Sequence, residues 1–273
     1  MSEIKLILSD IDGTILNDKN VIDTGLKTAI KKLHQRDVPF VLASARSPEG
    51  MKQIASDLDV LDNPIACYNG ALVVKDLQNK NYTTILSHEL NVPEVEEMLT
   101  ILEYKFSEIS VNLYSGSDWY VSDLDKWIQI EADITKMNPI VKSLPKLIAE
   151  HTVPIHKLLL IGETEQIQKA INYFKRSDFS NSSFYLSKPN YLEITNSNVS
   201  KEKALRELAK TYQLDLANTM TLGDNFNDVS MLKIAGLGVA MQNAPVEVQK
   251  CANVVTETNN QNGVSKAIEK YAL

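Results

Sequence analysis

The chain has 273 residues, 44% hydrophobic and 23% charged, with 28 Lys and Arg against 35 Asp and Glu for a formal charge of −7. This fits one large or two ordinary globular domains and excludes collagen-like, coiled-coil and disordered chains. No apolar run approaches the roughly 18 residues of a membrane span, and a pI near 5.2 argues against nucleic-acid and anionic-membrane partners, which leaves small molecules and a cytoplasmic setting.

Lys5 to Ser9 reads as a strand, Thr24 to Arg36 as a helix and Pro39 to Ala43 as a second strand, the pattern of a βαβ unit in a parallel sheet. A helix over about Pro48 to Leu58 and a strand at Ile65 to Tyr68 follow, and Asn69-Gly70 signals a tight turn into Ala71 to Val74. From Tyr82 to Ser187 the pattern changes. Amphipathic helices near Val92 to Tyr104 and Thr164 to Arg176 mix with strands at Ile109 to Leu113 and Lys157 to Ile161, and both tryptophans fall here. This segment reads as an inserted α+β domain. The earlier pattern returns with a helix from Ser200 to Gln213, strands at Thr219 to Leu222 and Leu237 to Ala240, and a helix after Asn227. The expected fold is therefore α/β: a doubly wound, Rossmann-like parallel sheet from residues 1–81 and 188–273, carrying an insert at 82–187.

Asp10-Ile11-Asp12-Gly13-Thr14 leaves the first strand directly. Carboxylates at i and i+2 point to the same side, at the strand end where open parallel sheets bind ligands. At average residue usage this pattern arises by chance roughly once in a hundred thousand starts, so a solvated turn explains it poorly. An EF-hand loop needs its glycine at the sixth position, whereas Gly13 is fourth from Asp10. Gly223 to Asp228, Gly-Asp-Asn-Phe-Asn-Asp, leaves a second strand and brings Asp224 and Asp228 to the same sheet edge. Helix capping alone accounts for Asp224 or Asn227 but not for both acidic clusters. Two carboxylates about 4 Å apart repel by roughly 4 kcal/mol at an effective dielectric of 20, so the cluster calls for a hard cation, and Mg2+ fits. Ser44 and Arg46 at the second strand end, and Ser200-Lys201 at a helix start, offer a hydroxyl, cations and free amides for a phosphate.

Taken in order, Asp10 to Thr14, Ser44, Lys201 and Gly223 to Asp228 resemble the motifs of the haloacid dehalogenase superfamily, in particular its Cof-type phosphatases. Cys67 to Ala71 and Gly236 to Met241, leading to Asn243-Ala244, are also Cof-like, whereas Glu202 and Gln242 stand where the family has glycine. The resemblance implies a phosphatase of small phosphate esters whose insert is a cap that sets specificity. Asp10 would attack phosphorus, and Asp12 would protonate the leaving oxygen and then activate water. Asp10, the Asp12 carbonyl and Asp224 would hold Mg2+, with Asp228 as a further ligand or support. Ser44, Lys201 and Asn227 would grip the phosphoryl oxygens, and Arg46 and Asn69 would contact substrate. Two alternatives are a phosphomutase of the same superfamily and a phosphoryl-accepting switch with little turnover; the insert and the extra Asp12 speak against the switch. Neither the substrate nor the oligomeric state can be read from the sequence.

The choice between Lys201 and Lys203 follows from helix geometry. Ala204, Leu205, Leu208, Ala209 and Tyr212 form one apolar stripe, which Lys201 joins three and four residues earlier, while Lys203 falls nearly opposite and is expected in solvent. His34, His88, His151 and His156 lack metal-ligand spacing, and Cys67 and Cys251 suggest neither a disulfide framework nor a zinc site.

Overall fold

A computed structural model describes residues 2–78 and 81–273. The chain opens with β1 (Leu6–Ser9), α1 (Leu26–His34), β2 (Phe40–Ala43), α2 (Pro48–Asp57) and β3 (Ile65–Cys67), then turns into β4 (Leu72–Gln78) and β5 (Asn81–Ser87). Next come α3 (Val92–Lys105), β6 (Ser110–Ser115), β7 (Asp118–Val121), α4 (Lys126–Thr135), β8 (Ile140–Val141) and α5 (Leu144–Ala149). They are followed by β9 (Lys157–Ile161), α6 (Thr164–Phe174), β10 (Ser182–Lys188) and β11 (Tyr191–Asn196). The last part holds α7 (Lys201–Thr211), β12 (Thr219–Gly223), α8 (Val229–Ile234), β13 (Leu237–Ala240), α9 (Val246–Gln249), β14 (Val254–Val255) and α10 (Gly263–Tyr271).

Two compact units result. The first comprises the chain to Arg46, Met51–Ile85 and Ser200–Leu273. Its sheet has the order β14-β13-β12-β1-β2-β3-β4-β5. It is parallel from β14 to β3, and β4 then runs antiparallel to β3. β1, β2 and β3 are buried at every position, as a parallel sheet covered on both faces requires. Successive strands run outward from β1 through β2 to β3 and, in the other direction, from β12 through β13 to β14. The order therefore reverses between β1 and β12, and the C-terminal ends of these two strands flank the switch point at which such sheets bind ligands. The Asn69-Gly70 turn joins β3 to β4, with the Ala71 amide donating to the Tyr68 carbonyl at 3.2 Å. Asn69 and Gly70 both have positive φ, 56° and 103°, the primed-turn geometry that this dipeptide favours.

The second unit comprises Leu86–Val199 with Ser47–Gly50. Its sheet has the order β10-β11-β9-β6-β7-β8. Leu113, Leu158, Leu160, Leu192 and Ile194 of this sheet share one apolar core with Val95 and Met98 of α3, Leu147 of α5, and Ile167, Ile171 and Phe174 of α6. The unit starts later and ends later than the 82–187 expected from the sequence, because β5 joins the first sheet and β11 pairs with β10 and β9 of the second. Trp119 is packed, its Nε1 hydrogen donating to Asn112 Oδ1 at 2.9 Å and its ring stacked on Tyr114. His156 is buried; its Nδ1 accepts from the Gly116 amide at 3.0 Å, and burial pushes the ring down to about 4, so it stays neutral at physiological pH. Among the described residues no helix is long and apolar enough to cross a membrane.

Candidate active site

Asp10 follows β1, and its amide donates to the Leu222 carbonyl of β12 at 2.9 Å, which seats it over the switch point. Its carboxylate meets the Lys201 ammonium, which also donates to Asp228 Oδ1 at 2.6 Å. Asp10, Lys201 and Asp228 are 7%, 1% and 0% exposed, so this is a buried cation held between two buried carboxylates. Lys201 arrives there because Ser200 caps α7, its Oγ accepting the Lys203 amide at 3.2 Å, while Ala204, Leu205, Leu208 and Ala209 are buried. Two details of the expected stripe are corrected. Tyr212 is 38% exposed because the helix ends at Thr211, and Lys203 is half-buried, not solvated.

The segment Gly223 to Asp228 is organised by Asp228. Its Oδ2 accepts the amides of Asp224 and Asn225, both at 3.0 Å, while Asn225 Oδ1 accepts the Phe226 amide at 2.8 Å. Capping thus belongs to Asn225 and Asp228, not to Asp224 or Asn227 as sequence reasoning allowed. Asp224, freed from that task, takes a 2.7 Å hydrogen bond from the Thr14 hydroxyl. A Cβ on Gly13, whose φ is +84°, would overlap the Asp224 carboxylate, so glycine is required both for the backbone conformation and for the close approach. Asn227 lies exposed on the same turn.

On the other side of β1, Asp12 is exposed and receives a fork from Arg46, Nε to Oδ2 at 3.0 Å and Nη2 to Oδ1 at 2.5 Å. Ser44 is buried at the end of β2 with its Oγ accepting the Arg46 amide at 3.3 Å, which leaves its own hydrogen to donate. Asn69 is buried nearby, its amide bonded to the Ser44 carbonyl at 2.8 Å.

Some site residues escaped sequence reasoning. Asn243 Nδ2 donates to the Gly13 carbonyl at 2.8 Å, and Asn243 Oδ1 accepts the Asn259 amide at 2.9 Å. Asn259 in turn donates to the Leu16 carbonyl at 3.0 Å, so two asparagines tie the C-terminal region to the Asp10 loop. Asn243 was visible only as part of a Cof-like stretch, and nothing in the sequence marked Asn259.

Asp10, Asp224 and Asp228 each bring a carboxylate oxygen within 4.8 Å of the others. Three carboxylates against the one ammonium of Lys201 leave a formal charge of 1 − 3 = −2. This excess raises the affinity of the carboxyl groups of Asp10 and Asp224 for protons. Burial pushes Asp224 up to about 6, the Thr14 hydrogen bond pulling it back and Asp228 adding to the rise. Burial likewise lifts Asp10 well above the usual carboxylate range, against the pull of Lys201 and with Asp228 and Asp224 adding to the lift. Burial would lower Lys201, but Asp10 and Asp228 outweigh it and hold the ammonium above its ordinary value. A hard divalent cation matches both the oxygen donors and the charge, so the residues fit such an ion.

A family model of the haloacid dehalogenase-like hydrolases matches residues 7–268. The chain belongs to that family. It is an enzyme of the family's phosphatase class, as its relatives indicate. A Haemophilus influenzae protein, itself named only provisionally as a phosphatase, is 33% identical over 267 residues, 97% of each chain. A Bacillus subtilis relative named 5-amino-6-(5-phospho-D-ribitylamino)uracil phosphatase is 26% identical over 99% of this chain and 97% of its own. A haloacid dehalogenase-like hydrolase from Bacteroides thetaiotaomicron superposes with a TM-score of 0.86 at 27% identity, over 98% of this chain and 99% of that one. A Thermotoga maritima crystal structure also gives 0.86, at 28% identity over 98% and 97%. For this hydrolase, the expectation of an α/β fold with a parallel sheet holds.

Proposed function

We propose that this hydrolase removes phosphate from small phosphorylated metabolites through an aspartyl-phosphate on Asp10, with Mg2+ as cofactor. The observation that carries the reading is the buried Lys201 ammonium between Asp10 and Asp228, beside Asp224, at the sheet's switch point. No general base is needed, because Asp10, once Lys201 and a bound cation together hold it ionised against its burial, is already a nucleophile. Lys201 orients the Asp10 carboxylate and offsets the charge of the incoming phosphate dianion. Asp10, Asp224 and the Asp12 carbonyl would hold the metal, which when bound supplies the further positive charge that draws the phosphate to Asp10. Asp228 supports from behind, since one of its oxygens faces Lys201 and the other two backbone amides.

Asp12 protonates the leaving oxygen and afterwards takes a proton from the water that attacks phosphorus. Arg46 holds both of its oxygens and so sets its direction. Ser44 and Asn227 donate to the phosphoryl oxygens, Asn69 stands as a further substrate contact, and the second unit supplies specificity. Phosphate release from p-nitrophenyl phosphate and from a metabolite panel tests the reading. Excess chelator is expected to stop turnover, Mg2+ to restore it, and Ca2+, with its larger and looser shell, to restore it poorly. Full activity in excess chelator would refute the metal's part.

A further inference from the structure

The segment that runs from Asp10 to the start of α1 is fastened by residues from the last part of the chain. Asn243 Nδ2 donates to the Gly13 carbonyl at 2.8 Å, and Asn259 Nδ2 donates to the Leu16 carbonyl at 3.0 Å. Asn260 Nδ2 donates to Asp18 Oδ2 at 2.9 Å, and the amide and hydroxyl of Ser265 both donate to Asp23 at 2.9 Å. The four ties follow the same order along both segments. The first of them is placed by the sheet: β13 pairs with β12, and the Met241 amide just beyond it donates to the Gly223 carbonyl at 3.0 Å. That anchor sets Asn243, two residues further on, against the Asp10 loop.

Gly13 is the pivot of this arrangement. Its φ is +84°, and the Asp224 carboxylate packs against its α-carbon. Rotation about its backbone bonds, which the lack of a Cβ leaves soft, would swing the Asp12 carbonyl on one side and Thr14, the donor to Asp224, on the other. Asn243 opposes that rotation by holding the Gly13 carbonyl. Its own orientation is fixed: Oδ1 accepts the Asn259 amide at 2.9 Å, and a backbone amide can only donate, so Nδ2 has to face Gly13.

Two observations separate these ties from ordinary cross-links of the fold. Asn243 is exposed, and a hydrogen bond open to water adds little to stability. Asn259 is 5% exposed, yet its Oδ1 is buried with no hydrogen-bond partner among the described residues, a cost that an apolar side chain would avoid. What the pair contributes is the geometry of the loop.

We propose that Asn243 and Asn259 are positioning residues that hold the Gly13 peptide, and through it the Asp12 carbonyl and the Asp224 carboxylate, in the arrangement a divalent cation requires. Asn243 acts through Gly13, and Asn259 acts through Asn243 and Leu16. The proposal rests on the metal reading above.

The test reads metal affinity without substrate. The full-length protein is titrated with Mn2+, which like Mg2+ prefers octahedral oxygen ligands, and free Mn2+ is followed by electron paramagnetic resonance. Asn243→Ala is expected to weaken Mn2+ binding at least about fivefold, while its melting temperature in chelator stays near that of the wild type. Its phosphate release should fall at low Mg2+ and recover towards the wild-type rate as Mg2+ is raised. Asn260→Ala, which removes only ties to Asp18, should bind Mn2+ as the wild type does. Asn259→Ala should weaken binding at least about threefold, and it decides the matter if Asn243→Ala does not fold. Unchanged Mn2+ affinity in the folded variants, or an equal loss in Asn260→Ala, overturns the proposal and leaves the metal reading standing. A wild type without saturable Mn2+ binding, or with binding that survives in Asp224→Asn, overturns the metal reading and the proposal with it.

Discussion

Asp10→Asn is expected to leave a folded protein with turnover reduced at least about ten-thousandfold, or about 5.4 kcal/mol of transition-state stabilisation. The amide keeps the size of the side chain and an oxygen to accept the Lys201 hydrogen bond, so the buried contact survives in neutral form. Lys201 retains Asp228 as counter-charge. What is lost is the anionic oxygen that attacks phosphorus, and no other side chain of the site can replace it. Asp224 and Asp228 are engaged by Thr14 and by Lys201 with two amides, and Asp12 is forked by Arg46. Steady-state phosphate release, with circular dichroism to confirm folding, checks this, and near-native turnover by the folded variant would contradict it.

Lys201→Ala should cost at least about a hundredfold in turnover, roughly 2.7 kcal/mol, while Lys203→Ala should change it less than about threefold. The two lysines are two residues apart on one helix but occupy different environments. Lys201 is 1% exposed between Asp10 and Asp228, whereas Lys203 is half-buried and its amide serves the Ser200 cap. Removing Lys201 leaves two buried carboxylates facing one another, so a lowered melting temperature is also expected, with partial recovery on adding Mg2+. Kinetics on both folded variants settle the ranking, and its reversal would mean that Lys201 serves structure alone.

How far each feature was legible depended on the range of the interaction that creates it. Lys201 could be placed from sequence because four apolar positions of one short helix fix its rotation, and a rotation is a local property. The same reasoning failed at Tyr212, where the helix has already ended, since end positions are set by capping and by the chain that follows. The Asp10 and Asp224 motifs were legible because each leaves a strand whose buried apolar run is unmistakable. Their meeting is a topological consequence of β1 lying beside β12. The fork of Arg46 on Asp12 joins residues 34 apart with no periodicity to reveal it. The tie from Asn259 to the Asp10 loop spans 243 residues. In the second unit, β7, β8, β10 and β11 escaped notice because these strands, antiparallel to their neighbours except where β8 runs parallel to β7, take their register from those neighbours and not from their own pattern.

The central claim is a phosphoenzyme on Asp10, and it is tested most directly by trapping. Enzyme with Mg2+ is mixed with a turned-over phosphate ester, quenched in acid within the first turnover and reduced with borohydride, and the peptide containing Asp10 is read by mass spectrometry. An acyl phosphate at Asp10 is reduced to the corresponding alcohol, so the account predicts homoserine in place of aspartate at that position in wild type and none in Asp10→Asn. Catalytic phosphate release with Asp10 unmodified, or with the label on another residue, would contradict it.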